Sequence, residues 1–529
     1  MSNVAEAAAR DRQRAAVLLA AVITAGAILR LARLGSQSYW LDEAFSVLLV
    51  RAPWRSFAYQ LRTAEANMGF YFVLLRLWHH LGDSEAPVRL MSAIFGIATI
   101  PVVAAAAKQL YGGAAALAAA VVMALDPFDL WASQEARGYA LVILLVTCST
   151  WAFVRATEPD ADGAAPRSGA RVWWILYVVA SALAVYTHLY ASFVLLAQWL
   201  SLAVRPRSVP WLALIVSGAA LAVLLVPMAV FLLSGPHGNI DWIRGSWGHL
   251  RDVWNSVRQV LGRGGAIAAC GYLAVCVALL CVVAGMTRRA ATPAERWVYL
   301  VPLLWFITPI AIPLAVSLTI KPVLDPRYAT ICAPAVAILA AAVVGRPGAW
   351  RVRLLVVLVA AELFGDWAYF ARLRKEDWRG VARTMVAESL PGDVAIFYAP
   401  YVRRPFDYYA ARRAADAPDA GRPSRRVRAI YPSARYSDFT LDTLEPLTLA
   451  GALDTARAAP RAWVVLSHVL RSDSACAAAL DAALRPALHQ VRDLRFAGGV
   501  DVRLYARSRG VADTGRAVPD TLVRACPQQ

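Results

Sequence analysis

Two adjacent carboxylates, Asp42 and Glu43, sit in the run Ser38-Tyr39-Trp40-Leu41-Asp42-Glu43-Ala44-Phe45-Ser46, just after the first long apolar stretch. An acidic pair in a loop commonly serves only as a helix cap or a solvated turn. The aromatic residues around this one hold it near a membrane interface, where a partly buried carboxylate can take a proton from an attacking hydroxyl. Basic residues recur at other span ends. Ser133-Gln134-Glu135-Ala136-Arg137-Gly138-Tyr139 opens one apolar stretch, and Asp325-Pro326-Arg327-Tyr328 precedes another with Lys321 just upstream. Thr187-His188-Leu189-Tyr190 forms a tight turn between two more. Arg supplies a fork of donors and Lys a point charge, so such residues from separate span ends could converge on a phosphate. Any one of them alone equally reads as an ordinary interfacial helix start.

Those side chains need elements to hold them, and composition says of which kind. The chain has 529 residues, 59% hydrophobic and only 17% charged, with a mean hydropathy of +0.50, whereas soluble domains carry roughly 25% charged residues. A polytopic α-helical membrane protein follows; disorder, collagen-like repeats and a small disulfide scaffold are excluded. Lys and Arg outnumber Asp and Glu by 54 to 36, a formal charge of +18. On a soluble protein that would point to nucleic acid. Here the excess lies in short Arg clusters between apolar runs, where positive-inside topology and membrane lipids account for it, and no nucleic-acid partner is expected.

Apolar stretches near the roughly 20 residues needed to cross a bilayer fall at 15–33, 88–108, 114–131, 138–155, 172–187, 190–204, 209–233, 265–286, 297–318, 329–345 and 351–371. About 11 transmembrane helices are therefore expected. Basic residues at alternate junctions, among them Arg10, Arg155, Arg205, Arg288 and Arg346, mark the cytoplasmic side. That places the N-terminus in the cytoplasm and the loops bearing Asp42, Arg137, His188 and Arg327 outside. The first run reads as an uncleaved signal anchor. The segment 67–81, NMGFYFVLLRLWHHL, is too short and too charged to cross, and reads as an amphipathic helix in the outer interface.

From about residue 372 Arg, Asp and Pro become frequent and apolar runs shorten to strand length. The division expected is a transmembrane portion, 1–371, including the first external loop 34–87, and a C-terminal α/β extracytoplasmic domain, 372–529. Within that domain 395–400, 427–432, 462–468 and 502–506 read as strands, and 378–390 and 474–486 as helices. Five of the seven cysteines lie in apolar spans. Only Cys476 and Cys526 fall in the tail, and an oxidising compartment would let them form a disulfide.

The ordered motifs SYWLDEAFS, GFYFVLLRLWHHLGDSEAPVRLMSAIFG, DPFDLWASQEARGYAL and DPRY closely resemble bacterial C-type (GT-C) membrane glycosyltransferases that use polyprenyl-phosphate sugars. The group is the one related to protein O-mannosyltransferases, aminoarabinose transferases and rhizobial lipopolysaccharide-core transferases. The likeness spans about residues 25–345, and KEDWRGVARTMV (375–386) with PFDYY (405–409) resembles the external tail of some members. It implies transfer of a hexose or pentose from a polyprenyl-phosphate donor to a glycan, lipid or protein acceptor, on the outer (periplasmic) face of a bacterial inner membrane. It also implies roles. Asp42, with Glu43 beside it, would be catalytic; Arg137, Arg327 and Tyr328, with Lys321 nearby, would meet the donor phosphate; Glu135, Tyr139, His188 and Tyr190 would border substrate and acceptor. Where many relatives carry His-Pro-Pro or Pro-Pro-Leu-Tyr-Tyr, this chain reads Glu65-Ala66-Asn67-Met68-Gly69-Phe70-Tyr71, and Glu65 would stand in for that loop's second acid.

With these roles Asp42 would deprotonate an acceptor hydroxyl as its oxygen attacks the anomeric carbon, and the polyprenyl phosphate would leave from the opposite face with inversion. The basic residues would stabilise charge gathering on the leaving phosphate. A divalent metal held by Asp42, Glu43 or Glu65 is compatible with the loop, although no spacing is diagnostic and His79-His80 is only a neighbouring pair. Glu362 and Asp366, four residues apart in the last span and so on one helix face, carry a different reading, a lipid-linked sugar transporter. Transporters place such groups near the midplane on broken helices, while most candidates here cluster at external ends. A non-catalytic polysaccharide assembly or binding subunit is the third reading, and it requires Asp42 to be dispensable.

Overall fold

A computed structural model of the chain describes residues 2–63, 65–158, 170–234, 265–320, 323–344, 348–398, 400–416, 427–431, 449–467 and 474–507. Its helices are α1 (Ser2–Leu31), α2 (Leu41–Arg51), α3 (Trp54–Thr63), α4 (Gly69–Trp78), α5 (Glu85–Tyr111), α6 (Gly113–Leu125), α7 (Pro127–Ser133), α8 (Tyr139–Thr157), α9 (Ala170–Thr187) and α10 (Ala191–Ser201). They continue as α11 (Trp211–Leu224), α12 (Val226–Ser234), α13 (Gly265–Arg289), α14 (Pro293–Thr319), α15 (Ala333–Val344), α16 (Ala349–Arg372), α17 (Trp378–Glu388), α18 (Arg403–Asp416), α19 (Leu449–Ala458) and α20 (Ser474–Leu484). The chain divides into two compact units, one of Met1–Leu34 and Tyr59–Leu373, the other of Gly35–Ala58 and Arg374–Gln529. Residues 35–58 of the first loop, placed with 1–371 in the sequence reading, group here with the tail.

In the first unit every one of the eleven apolar stretches coincides with a helix or a bent helix pair. Among the described residues six helices are long and apolar enough to cross a membrane, or eight if α6–α7, bent by 58°, and α11–α12, bent by 50°, each count as one span. The other stretches fall on the shorter apolar helices α9 and α10 and on α13. Residues 69–78 form the expected short helix. It buries Tyr71, Phe72 and Leu75 and exposes Val73 and Leu77, an amphipathic division.

Small side chains set the closest contacts. α6 reads GAAALAAAVVMAL and α15 APAVAILAAAVV, and the two pack on each other and on α5. Alanine at a crossing lets backbones approach and is the common device of membrane helix packing. The tightest point is Gly96 in α5: a Cβ there would sit 1.9 Å from Ser133 Oγ and 3.1 Å from Arg30 Nε.

Arg30 explains the bend between α6 and α7. Its fully buried guanidinium donates to the carbonyls of Met123 (2.8 Å) and Ala124 (2.8 Å), the ends that a helix interrupted at Asp126-Pro127 leaves unpaired. It also donates through Nε and Nη2 to Asp129 Oδ2 at 3.1 and 2.6 Å and through Nη1 to Gly26 O at 3.1 Å. Asp126 in turn caps α7 by accepting the Asp129 N–H at 2.8 Å. A buried charge needs this degree of satisfaction, because each missing partner would cost its full desolvation.

The second unit contains a five-stranded mixed sheet, β1 (Asp393–Tyr398), β2 (Val427–Tyr431), β3 (Arg461–Leu466), β4 (His489–Phe496) and β5 (Val500–Ala506), in the order β2-β1-β3-β5-β4. β2, β1 and β3 run parallel; β5 and β4 are antiparallel additions joined by a hairpin at Gly498-Gly499, both with positive φ. One face packs on α19 and α20 through Ile396, Val464, Leu453 and Leu480. The four strands and two helices expected from sequence are present. β4, α18 and α19 are additional elements, and β4, HQVRDLRF, is mostly exposed and carries three charges, so it lacks an apolar run.

Candidate functional site

Three loops of the first unit bring together most of the side chains suspected of meeting a phosphate. The first, 134–138, is pinned by Gln134, whose Nε2 donates to the carbonyls of Leu29 and Arg30 in α1 and of Ala32 just after it, at 3.3, 3.1 and 2.9 Å, while its Oε1 accepts the Tyr369 hydroxyl at 3.0 Å. Gly138 then lets the chain pass Thr187 and Tyr71, which a Cβ would meet at 3.2 and 3.3 Å. Arg137, half-buried, lies with its guanidinium carbon 5.7 Å from the Phe72 ring centre.

The second loop is the turn between α9 and α10, tied down where the Leu189 N–H donates to Asn67 Oδ1 at 2.9 Å. His188 is buried within it, its ring 6.3 Å from Tyr139, 5.5 Å from Tyr190 and 4.6 Å from Tyr328 between centres. Its Nδ1 accepts the Tyr190 N–H at 3.2 Å, so the neutral ring carries its proton on Nε2. That Nε2 is buried and has no hydrogen-bond partner among the described residues. Burial first, and the nearby Arg137 charge second, hold the His188 imidazole far below its ordinary value, at about 3, with Asp325 opposing.

The third loop is the Pro326–Cys332 turn of 3-10 helix. Asp325 caps it through the Arg327 N–H (2.8 Å) and grips the Arg327 guanidinium at 3.1 and 3.3 Å. Tyr328 packs on Tyr190 at 4.9 Å between centres, and the Tyr190 hydroxyl donates to Val323 O at 2.6 Å. Arg137, Tyr139, His188, Tyr190, Arg327 and Tyr328 therefore belong to one aromatic and basic neighbourhood. Buried N–H donors among tyrosines, with guanidinium groups beside them, are suited to a small anion. Asp325 was legible only as part of the DPRY run, and its grip on Arg327 has no separate sequence signal.

The acidic pair lies in the second unit, in the first turn of α2. The helix-cap alternative does not hold in its simple form, because the N-cap position is Trp40 and neither carboxylate occupies it. Both do lie at the positive end of the helix dipole, which favours their charge. Asp42 is half-buried, while Glu43 is fully buried and paired with Lys375 at 3.2 Å. Of the two, Glu43 is the one whose carboxylate is paired with an ammonium in the interior, and Asp42 is the more exposed. Lys375, within the KEDW run, was not singled out from sequence.

Other expected site residues fall elsewhere. Glu65, half-buried in the first unit, precedes a 3-10 turn at Ala66–Met68, and Glu135 is buried in the loop before α8. Lys321 and Cys526 lie outside the described residues, as does the Cys476 side chain, so the disulfide falls there too. Glu362 and Asp366 are buried in α16, beside the bent α6–α7 pair, and none of their four carboxyl oxygens has a hydrogen-bond partner among the described residues. Among those residues no group of three or more His, Cys, Asp or Glu side chains is placed to hold a metal ion.

Comparison with known proteins agrees with this architecture. The family described as dolichyl-phosphate-mannose-protein mannosyltransferase matches residues 67–234, under half of the chain. No curated protein matches. Among solved structures, ArnT from Cupriavidus metallidurans in the apo state superposes with a TM-score of 0.53 at 14% identity, over 92% of this chain and 97% of that one. The archaeal oligosaccharyltransferase AglB from Archaeoglobus fulgidus, in complex with an inhibitory peptide and a dolichol-phosphate, gives 0.49 at 11% identity, over 97% and 77%. The fold is thus ArnT-like, with a C-terminal α/β region.

Proposed function

We propose that the chain is an inverting glycosyltransferase that moves a sugar from a polyprenyl-phosphate donor to a hydroxyl acceptor on the outer face of the membrane. The observation that carries the reading is the buried His188 Nε2, unpartnered among the described residues, in a ring of tyrosines with Arg137 beside it and Arg327 near Tyr328. A burial that leaves a donor unsatisfied is costly unless a ligand atom completes it, and a phosphate oxygen does so. The match of residues 67–234 to a dolichyl-phosphate-mannose-dependent family, and the ArnT-like fold, support the same class of donor.

In this reading Arg137 supplies charge and forked donors to the phosphate. Arg327 is half neutralised by Asp325 and contributes directed N–H groups more than net charge. Charge grows on the leaving phosphate as the glycosidic bond breaks, and these groups stabilise it. Asp42 accepts the proton of the attacking hydroxyl, and the attack proceeds from the face opposite the phosphate with inversion. A lipid-borne donor is the reading because nucleotide sugars are cytoplasmic, and the basic junctions support an outer position for these loops. Lys321 is assigned to the same phosphate on its place just upstream of Asp325-Pro326-Arg327-Tyr328, and Glu65 to the acceptor side on the resemblance.

The test is turnover by purified protein in liposomes of undecaprenyl-phosphate-linked mannose, galacturonate and arabinose, read by mass spectrometry. Release of undecaprenyl phosphate with a new glycosidic product supports the reading. The buried Glu362 and Asp366 favour a second reading, transport of a lipid-linked sugar; movement of an intact donor across the vesicle, with no cleavage, would replace the first reading by that one.

A further inference from the structure

Glu43 and Lys375 are 332 residues apart in sequence, yet their side chains, 0% and 7% exposed, form an ion pair at 3.2 Å. The pair belongs to a longer seam. The Lys375 N–H donates to Gln37 Oε1 at 2.7 Å, and the Ser38 hydroxyl donates to Glu376 O at 2.5 Å. The Tyr39 N–H donates to the Tyr409 hydroxyl at 2.7 Å, with the Tyr39 ring edge-on to Tyr408 at 5.3 Å. Glu376 is itself fixed by Trp378 Nε1 at 2.5 Å and the Ser467 hydroxyl at 3.1 Å. Residues 37–43 are thus held along their length by the tail that begins at Arg374.

We infer that Lys375 is a positioning residue for the base: by pairing with Glu43 it fixes the first turn of α2 about its own axis and so determines which of two adjacent carboxylates is presented to substrate. The inference rests on the reading of Asp42 as that base. Consecutive residues on a helix project about 100° apart. With Glu43 turned into the interior against Lys375, Asp42 is left half-exposed. Without the ammonium, the buried Glu43 would lose the opposite charge that Lys375 supplies, and the turn would relieve that cost by rotating or loosening. The Lys375 link makes the tail a working part of the transfer machinery.

Full-length Lys375→Met and Lys375→Arg test this in liposomes, with Glu43→Gln read in parallel as a milder loss of the pair. Hydrogen exchange of peptides covering 36–46 needs no knowledge of the donor; turnover uses whichever undecaprenyl-phosphate sugar the wild type cleaves. Lys375→Met is expected to exchange at least about tenfold faster there and to lose about tenfold or more in kcat, with donor KM within about twofold, as misplacement of a reacting group does. Lys375→Arg should recover both. Unchanged exchange in Lys375→Met and Glu43→Gln, or a lower Tm with kcat per folded molecule intact, would overturn the inference. Asp42→Asn separates the two claims: if it stays active the base reading falls, and if it is dead while Lys375→Met is unimpaired only the positioning role falls.

Discussion

His188 accepts the backbone N–H of Tyr190 on Nδ1 at 3.2 Å, and that one bond fixes where the imidazole proton sits. The ring is left as a neutral donor with Nε2 buried and unpartnered among the described residues. A neutral donor beside Arg137 adds a directed hydrogen bond without adding to the local charge.

Donor binding should depend on this geometry. His188→Phe keeps the ring volume but removes Nε2–H, and is expected to weaken undecaprenyl phosphate by roughly 10-fold to 100-fold, the worth of a hydrogen bond to a charged group. Arg137→Ala should weaken it at least as much, and Arg327→Ala less, because Asp325 already shares that guanidinium. Titration of each variant with undecaprenyl phosphate in detergent reads the order. Equal affinity in all three would remove the phosphate site from this neighbourhood.

The same histidine makes stability depend on pH in a defined direction. Its folded value, about 3, lies below the unfolded value near 6.5. The unfolded chain therefore binds a proton that the folded chain refuses, so the contribution is intact above about pH 6.5 and is lost as pH falls toward 3. The expected slope is about 1.4 kcal/mol per pH unit within that window. Tm measured from pH 7 to 4.5 should fall more steeply in wild type than in His188→Phe; parallel curves would contradict the assignment.

Packing at Gly96 gives a prediction free of the active site. Gly96→Ala places a methyl 1.9 Å from Ser133 Oγ and 3.1 Å from Arg30 Nε, and Arg30 is immobilised by its bonds to Met123, Ala124 and Asp129. The substitution is expected to cost about 1–3 kcal/mol through overpacking. Gly96→Ala/Ser133→Ala removes the nearest atom and should recover part of the lost Tm. A single variant as stable as wild type would show that α5 and α7 can separate at no cost.

How far the sequence reveals these features follows from which interactions are local. The eleven apolar stretches are legible because each is a long run of one composition, and β1, β2, β3 and β5 because apolar residues concentrate in short runs. The bend at Asp126-Pro127 has a local signal in the proline. Arg30, which stabilises that bend from about 90 residues away in sequence, has none, and it reads simply as the end of a span. Glu43 and Asp42 look equivalent as neighbours. The distant Lys375 pairs with Glu43, and pairings of that range leave no periodicity to read. The candidate phosphate residues could be gathered from motifs, but the tautomer of His188 and the grip of Asp325 on Arg327 required coordinates.

The most direct test of the central claim is single-turnover release of undecaprenyl phosphate by Asp42→Asn, at a donor concentration that saturates wild type. An amide has nearly the same shape but cannot take the proton, so the expected result is donor affinity within about twofold of wild type and a transfer rate reduced by about 100-fold or more, the typical contribution of general-base catalysis. Near wild-type release by Asp42→Asn, with the donor bound normally, would contradict the account.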